Sequence, residues 1–254
     1  MILRRLSNAF RKQDWFTVVV ETLIVVLGVF IGLQVNNWNE ARTEQARVVS
    51  YLDRLASDLR SDVTMYERNF AFKTRAVAEG RLALAYTQQP NRDAPPFEIV
   101  RSFMLASHAL TLPVADATYS EMISTGDIRL LRDPELQQGL ASYYSNVDLN
   151  DIVEEFPEYR QTVRGIIPLD VQDYINAACY RSDRLRQEFL PCKASVDLLD
   201  LEQTADLLRS DEALARELRY WLSNGGLALT ILGDQRRGSI ELLRVVEITA
   251  QAAR

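Results

Sequence analysis

The sequence contains few of the residues that end helices and strands, and few that bind metals. Glycine and proline number 10 and 8 among 254 residues, below their usual combined share of about 12%. A sandwich or barrel of many short strands needs more turns than these residues supply. One histidine and two cysteines are too few to close a His/Cys metal site. We therefore expect neither a many-stranded β fold nor a metal or other cofactor.

The chain also lacks an excess of positive charge and lacks familiar catalytic motifs. It carries 29 Lys and Arg against 35 Asp and Glu, a net charge of −6, whereas nucleic-acid-binding surfaces are basic. The sequence contains no GxSxG, HExxH, P-loop or Ser-x-x-Lys pattern, which would indicate nucleophilic, zinc or phosphate chemistry. We expect no nucleic-acid partner, no catalytic residues and a protein that is not an enzyme.

One long hydrophobic run lies near the N-terminus. Residues 16–35 include a single ionisable residue, Glu21, and a helix of that length rises about 30 Å, enough to cross the hydrocarbon core of a bilayer. Trp15 and Trp38 flank the run, and indole rings favour the interface between lipid and water. The sequence predicts a transmembrane helix over residues 15–37, in contact with membrane lipid, with Trp15 and Trp38 as interfacial anchors.

The residues around this run predict an uncleaved signal anchor. A signal peptide has a shorter apolar stretch followed by a small-x-small cleavage site, and the sequence has neither feature. Residues 1–14 carry four cations and one anion, whereas residues 36–50 carry two of each. This bias places residues 1–14 in the cytoplasm as a basic tail. Residues 38–254 would then form an extracytoplasmic domain.

One face of the predicted membrane helix combines Thr17, Glu21, Gly28 and Gly32. At 100° per residue these positions fall within about 60° of one another. The GxxxG pair allows close helix approach, and a carboxylate in a membrane usually faces a partner or water, or is protonated. We expect an interface with a second copy or with another membrane protein. Two alternatives are a Glu21 side chain that reaches the bilayer surface beside unpartnered glycines, and a proton-relay carboxylate.

The remainder of the sequence predicts an all-α fold. Residues 33–79 contain no glycine or proline, and apolar residues from Val48 to Leu84 recur mostly every three or four positions, which predicts a long amphipathic helix. The weak helix formers at residues 36–39 leave open whether it continues straight from the membrane or bends. An extracytoplasmic bundle of about six to eight helices follows, with helices predicted at 97–110, 118–125, from 134, at 159–179 with a break near Pro168, from 210, and at 227–253.

Several helix ends have local signals. Thr118 and Glu121 fit a capping box, and Gly126 fits a C-terminal stop. Asp133 before Pro134 fits an N-cap followed by proline in the first turn. The helix that opens at Ser210 is expected to end at residues 224–226, Asn-Gly-Gly.

Four further groups of residues could carry chemistry. Cys179 and Cys192 would form a disulfide in an oxidising compartment, closing a loop worth about 3 kcal/mol; the alternative is two buried thiols. His108 lies among apolar residues and is expected to be a core or boundary side chain rather than a general base. Asp58 and Asp62 fit a solvated helix face better than a calcium site. The same holds for an acidic cluster later in the chain. That cluster consists of Asp148, Asp151, Glu154, Glu155 and Glu158.

Two segments resemble a known family. Residues 21–40 place an acidic residue before a glycine-containing apolar run and end in Leu-Gln-x-Asn-Asn-Trp-Asn-Glu. Residues 117–144 contain a helix, a Ser/Thr-Gly turn, a second helix and a terminal tyrosine pair. Both segments resemble an uncharacterised family of bacterial single-span inner-membrane proteins. The resemblance implies an inner-membrane anchor with a helical domain, and it implies no activity. Together with the charge bias, it predicts a cytoplasmic N-terminus and a periplasmic domain.

These patterns together predict a membrane-anchored, non-enzymatic protein, a structural or interaction subunit that assembles through its membrane helix. One alternative is a periplasmic ligand-sensing module that signals through a partner's membrane helix. Another is an accessory subunit of an ion-driven or transport complex in the membrane.

Overall fold

The computed structural model describes residues 15–89, 93–154, 157–183, 186–194 and 201–254. Helices dominate these segments, which confirms the predicted all-α class. The helices are α1 Trp15–Gln88, α2 Pro96–Ala106, α3 Ala117–Thr125, α4 Pro134–Ser145, α5 Asn150–Glu154, α6 Glu158–Ile166, α7 Leu169–Ala178, α8 Leu201–Ser210 and α9 Glu212–Ala252. Short 3₁₀ turns follow α3 and α4, at Asp127–Leu130 and Asn146–Leu149.

A small β-hairpin is the main departure from the predicted all-helical pattern. Strands β1, Tyr180–Ser182, and β2, Gln187–Phe189, pair antiparallel with Tyr180 opposite Phe189. The segment is too short for an alternating pattern to stand out in the sequence. Helix α8 is a second element that the sequence patterns do not predict.

The chain divides into two compact units. The first contains the residues up to Tyr51 together with Ala253 and Arg254, and the second contains Leu52–Ala252. In the first unit, Nε2 of Gln45 donates a hydrogen bond to the carbonyl oxygen of Ala253 at 2.6 Å. Helix α1 passes through residues 36–39 without interruption, so these weak helix formers do not end it.

The core of the second unit forms around the later part of α1 and the long C-terminal helix α9. The buried residues of α1 recur at the predicted helical spacing, including Leu52, Leu55 and Leu59. Ion pairs join the two helices at their exposed margins, from Arg60 to Glu247 and from Arg236 to Glu67. The amphipathic pattern of the sequence therefore identifies the face of α1 that packs.

Two of the predicted helix ends are confirmed in detail. Asp133 caps α4, because its side chain accepts hydrogen bonds from the backbone nitrogens of Glu135 and Leu136, at 2.9 and 3.4 Å. Gly126 ends α3 with a left-handed φ of 74°, a conformation that glycine adopts without a steric penalty. The predicted break near Pro168 also occurs, between α6 and α7.

Three other predicted ends are wrong. Thr118 does not cap α3, which starts at Ala117, so Thr118 is buried inside the first turn. Ser210 ends α8, and Asp211 caps α9 by accepting from the nitrogens of Ala213 and Leu214. Residues 224–226 do not end a helix, since α9 continues through them to Ala252.

The reason for the last error is a tertiary contact. A Cβ built on Gly225 would lie 2.9 Å from Cγ2 of Val77, and one built on Gly80 would lie 2.6 Å from the Trp221 ring. These glycines allow α1 and α9 to approach closely, and they keep a helical backbone. The local sequence cannot distinguish this use of glycine from a helix stop.

Candidate functional site

The predicted membrane face lies on the exposed N-terminal part of α1. The large apolar side chains between Val19 and Val35 are each 38–64% exposed. An 18-residue window of this helix has a mean hydropathy of 2.0 and is 0% buried. By length and composition the helix could span a membrane, which agrees with the prediction of one N-terminal spanning helix.

The individual residues of that face occupy one helix, as predicted. Around Gly28 and Gly32 the space that a Cβ would fill is open, and Glu21 is exposed. Trp15 and Thr17 belong to α1, but their side chains lie outside the described residues, as does the basic tail of residues 1–14. Glu21, Gly28 and Gly32 of the predicted interface are therefore uncovered within the described part of this chain, and the role of the interface stays a prediction.

The predicted interfacial residue Trp38 is exposed. The Arg42 guanidinium lies 5.9 Å from the centroid of its ring. This distance fits a cation–π contact.

A buried polar cluster in the second unit was not predicted. Asp62 of α1 is 0% exposed, so its interpretation as part of a solvated face is wrong. Its carboxyl oxygens accept hydrogen bonds from the Ala115 backbone nitrogen, at 2.8 Å, and from the Tyr143 hydroxyl, at 2.9 Å. Burial raises the pKa of Asp62 to about 6. The cluster joins α1 to the segment before α3 and to α4.

Two tyrosines extend this cluster. The Asn150 amide donates to the Tyr66 hydroxyl at 3.1 Å, and burial raises the pKa of Tyr66 to about 12. Burial also raises the pKa of Tyr143. Both phenols therefore stay protonated at neutral pH, and the cluster works as a hydrogen-bonded link between helices.

The predicted acidic cluster is not a metal site within the described residues. Asp148, Asp151 and Glu158 are exposed, Glu155 lies outside the described residues, and Glu154 accepts a hydrogen bond from the Leu112 backbone nitrogen at 2.5 Å. Among the residues that the structure describes, no group of three or more His, Cys, Asp or Glu side chains could hold a metal ion.

His108 lies just after α2, buried against the hairpin. Its ring centroid is 4.2 Å from that of Tyr180 and 5.6 Å from that of Phe189. Burial lowers the pKa of His108 to about 4, and the charges of Arg164 and Arg160 lower it further. The side chain is therefore buried, as predicted, and it is neutral at pH 7.

Both ring nitrogens of His108 face an oxygen acceptor. Nδ1 lies 3.2 Å from the carbonyl oxygen of Met104, and Nε2 lies 3.3 Å from the Oδ1 atom of Asn176. The neutral ring carries one N–H and donates it to one of these two oxygens. His108 thus links the end of α2 to α7.

Two arginines of α6 lie beside His108. A guanidinium nitrogen of Arg160 donates to the carbonyl oxygen of Ser107, and Nε of Arg164 donates to the Ser107 hydroxyl at 3.1 Å. Burial lowers the pKa of Arg160. Burial, with a further contribution from the charge of Arg160, lowers the pKa of Arg164 to about 10. Two like charges are therefore held close together, away from part of their solvent.

These side chains form the wall of a cavity of about 710 Å³ between α6, α7 and the hairpin. Its polar lining includes His108, Arg160, Arg164, Asn176 and Arg181, and its apolar lining includes Leu110 and Leu190. The spacing of Arg160 and Arg164, one helical turn apart, was visible in the sequence. The residues that complete the cavity around this pair lie elsewhere in the sequence, so the spacing alone does not predict a cavity.

A disulfide closes the base of the hairpin. The structure joins Cys179 to Cys192 across a sequence separation of 13 residues. The Leu190 backbone nitrogen also donates to the carbonyl oxygen of Cys179, at 2.7 Å. Since Tyr180 and Arg181 follow Cys179 directly, this bond fixes the strand that supplies one wall of the cavity.

The fold and these sites define an all-α protein with an uncovered apolar helix near its N-terminus. The sequence model of DUF6090, a family of unknown function, matches residues 21–146, a range that includes both segments of the predicted resemblance to an uncharacterised family. No curated protein and no solved structure matches the chain.

Proposed function

We propose that this protein is a non-enzymatic, membrane-anchored subunit that assembles through the N-terminal part of α1. The observation that carries the proposal is the run of exposed apolar side chains from Val19 to Val35. A continuous apolar surface of this kind is stabilised by lipid or by a partner, because exposure to water is costly. The length and hydropathy of the helix favour lipid.

The assembly surface is the face that carries Glu21, Gly28 and Gly32. Both glycines leave open space where a Cβ would lie, so a second helix can approach the backbone closely there. In a bilayer, packing and polar contacts drive helix association, since lipid removes the hydrophobic driving force. A carboxylate on the same face supplies such a polar contact. The partner is a second copy of the chain or another membrane protein.

The experiment measures the mass of the complex extracted in mild detergent, for the full chain and three variants. Gly28→Ile and Glu21→Leu change the proposed face, whereas Phe30→Ile changes the opposite side of the helix and is the control. We expect a wild-type complex larger than a monomer, reduced in mass by the first two variants and unchanged by the control. Equal masses for all four proteins would reject the interface.

A partner other than a second copy gives a different result in the same experiment. The wild-type preparation would then contain one copy of this chain and a second membrane protein in fixed ratio, lost in Gly28→Ile. That outcome would make the chain an accessory subunit. A wild-type monomer without a partner would overturn the proposed assembly, but it would not contradict the proposed membrane anchor.

The orientation can be tested with the exposed residue Ser142. Cys179 and Cys192 are bonded to each other, so Ser142→Cys supplies one reactive thiol. A thiol reagent that does not cross membranes should label this variant in intact spheroplasts if the domain is periplasmic. Labelling only after the membrane is disrupted would contradict the proposed orientation.

A further inference from the structure

We propose that the cavity beside His108 binds a small soluble organic anion, with a phosphate or carboxylate group on a compact apolar body. This site lies within the second unit, between α6, α7 and the hairpin. The inference does not depend on the membrane anchor or on its assembly.

The charge of the lining carries the argument. The described residues around the cavity include Arg160, Arg164 and Arg181 but no Asp or Glu. Arg181 is compensated at the rim by Glu188, at 3.2 Å. Arg164 makes no ion pair with any residue that the structure describes, and its hydrogen-bond partner there is the uncharged Ser107 hydroxyl. The interior of the cavity is therefore positive.

The Arg164 guanidinium is half-buried, and its pKa is lowered first by burial and then by the nearby charge of Arg160. A buried charge beside a like charge is destabilising unless an opposite charge is added. The pKa of His108 is likewise lowered first by burial and then by the charges of Arg164 and Arg160. An oxyanion would relieve this repulsion, and guanidinium groups bind oxyanions through charge-assisted, paired hydrogen bonds.

The rest of the lining indicates the body of the ligand. Leu110, Leu190 and the Tyr180 ring supply apolar surface, and Asn176 supplies an amide. The imidazole of His108 is uncharged at neutral pH and adds a flat surface. A volume of about 710 Å³ lies within the range of small-molecule sites. The arrangement fits one anionic group against α6 and an apolar or aromatic portion against the hairpin.

The wall that contributes Tyr180 is fixed before a ligand arrives. Its hydroxyl donates to the Gln187 side chain at 2.9 Å, and the disulfide holds the strand at Cys179. A prearranged site binds with a smaller loss of conformational entropy.

The test is calorimetric titration of the full-length protein in detergent with four probes. Phenyl phosphate and benzoate carry both a charge and a ring, inorganic phosphate carries the charge alone, and benzyl alcohol carries the ring alone. We expect at least one of the two aromatic anions to bind at least tenfold more tightly than inorganic phosphate, and benzyl alcohol not to bind. No binding of any anion up to millimolar concentration would overturn the proposal.

Two substitutions separate the site from general attraction of anions. Arg164→Gln should weaken binding of the aromatic anion at least tenfold, whereas Arg237→Gln removes an exposed cation of α9 and should leave binding unchanged. Equal losses in both variants would reject the site. The melting temperature of unliganded Arg164→Gln should match or exceed that of the wild type, because one of two repelling charges is gone. This result excludes unfolding as the cause of lost binding.

The single histidine of the chain reports the location of the ligand. Binding in the cavity should shift the imidazole resonances of His108 in the NMR spectrum, with saturation at the calorimetric stoichiometry. Binding without such a shift would place the anion elsewhere and overturn the assignment. Tighter binding of detergent-solubilised phosphatidic acid than of both aromatic anions would assign the cavity to a lipid headgroup and reject a soluble ligand.

Discussion

His108 and Asp62 should make opposite contributions to the pH dependence of stability. The pKa of His108 is about 4 in the folded protein, against 6.5 for a free imidazole. As the pH falls, His108 is therefore protonated in the unfolded chain at a higher pH than in the folded protein. Stability from His108 is therefore lost on acidification between about pH 6.5 and 4. The folded pKa of Asp62 is about 6, against 3.8. Stability from Asp62 is therefore present at low pH and lost as the pH rises through about 6.

The two effects are similar in size. Each pKa unit between the folded and unfolded states corresponds to about 1.4 kcal/mol. Between pH 6 and pH 4, His108 should therefore reduce the free energy of unfolding by about 2 kcal/mol, and Asp62 should increase it by about 2 kcal/mol. In the wild-type protein the two contributions nearly offset each other over this range. Substituting one of the two residues removes its contribution, so that the pH dependence from the other becomes measurable.

The assay compares thermal or denaturant unfolding of the wild type, His108→Gln and Asp62→Asn between pH 4 and pH 7, in the same detergent. On going from pH 6 to pH 4, His108→Gln should gain about 2 kcal/mol relative to wild type, and Asp62→Asn should lose about as much. Each difference corresponds to a change in melting temperature of about 4–8 °C. The pH-dependent contributions of the titratable groups that the three proteins share cancel in these differences.

A difference between wild type and His108→Gln that stays constant within about 0.5 kcal/mol would refute the reasoning. It would mean that burial and the nearby charges of Arg164 and Arg160 do not hold the imidazole neutral. Because the chain contains one histidine, NMR titration of its imidazole measures the same pKa directly.

Two further predictions concern packing and the disulfide. Gly225→Ala should destabilise the fold by about 1–2 kcal/mol, because the new Cβ would lie 2.9 Å from Val77. The adjacent Gly226→Ala, which has open space, should be neutral or gain up to about 1 kcal/mol in denaturant unfolding, and equal effects would contradict the proposed contact between helices. Cys192→Ser should lower stability by about 3 kcal/mol by releasing the closed loop, and the wild type should lose a similar amount under reducing conditions. A melting temperature that does not respond to reductant would contradict this.

The sequence was informative where local chemistry decides the structure. The apolar spacing of α1 indicates its packed face, because burial follows the helical period. Asp133 before Pro134 identifies the start of α4, since both residues act within one turn. Gly226 and Gly225 follow Asn224 in a pattern that is typical of a helix stop. The helix does not stop there. Gly225 instead leaves room for the Val77 side chain of α1, a contact that the local sequence does not reveal.

The candidate sites depend on contacts between distant residues, which periodicity does not reveal. Asp58 and Asp62 are spaced as a solvated pair would be, yet the partners of Asp62 are 53 and 81 residues away. Ser107 meets Arg164 across 57 residues. The charge types were visible in the sequence, and folding supplied the burial that makes them unusual.

Most of the residues that line the cavity lie outside the part of the chain that the family model matches. The matched residues 21–146 include most of the apolar segment of α1 and the link between Asp62 and Tyr143. Arg160, Arg164 and the hairpin lie outside that range. The proposed assembly through α1 and the proposed anion binding at α6 therefore use separate residues, and each proposal can fail without the other. If Gly28→Ile abolishes assembly while anion binding persists, the membrane face and the cavity are independent functions of the chain. If Gly28→Ile also weakens anion binding, assembly must alter the cavity, and the two functions are coupled.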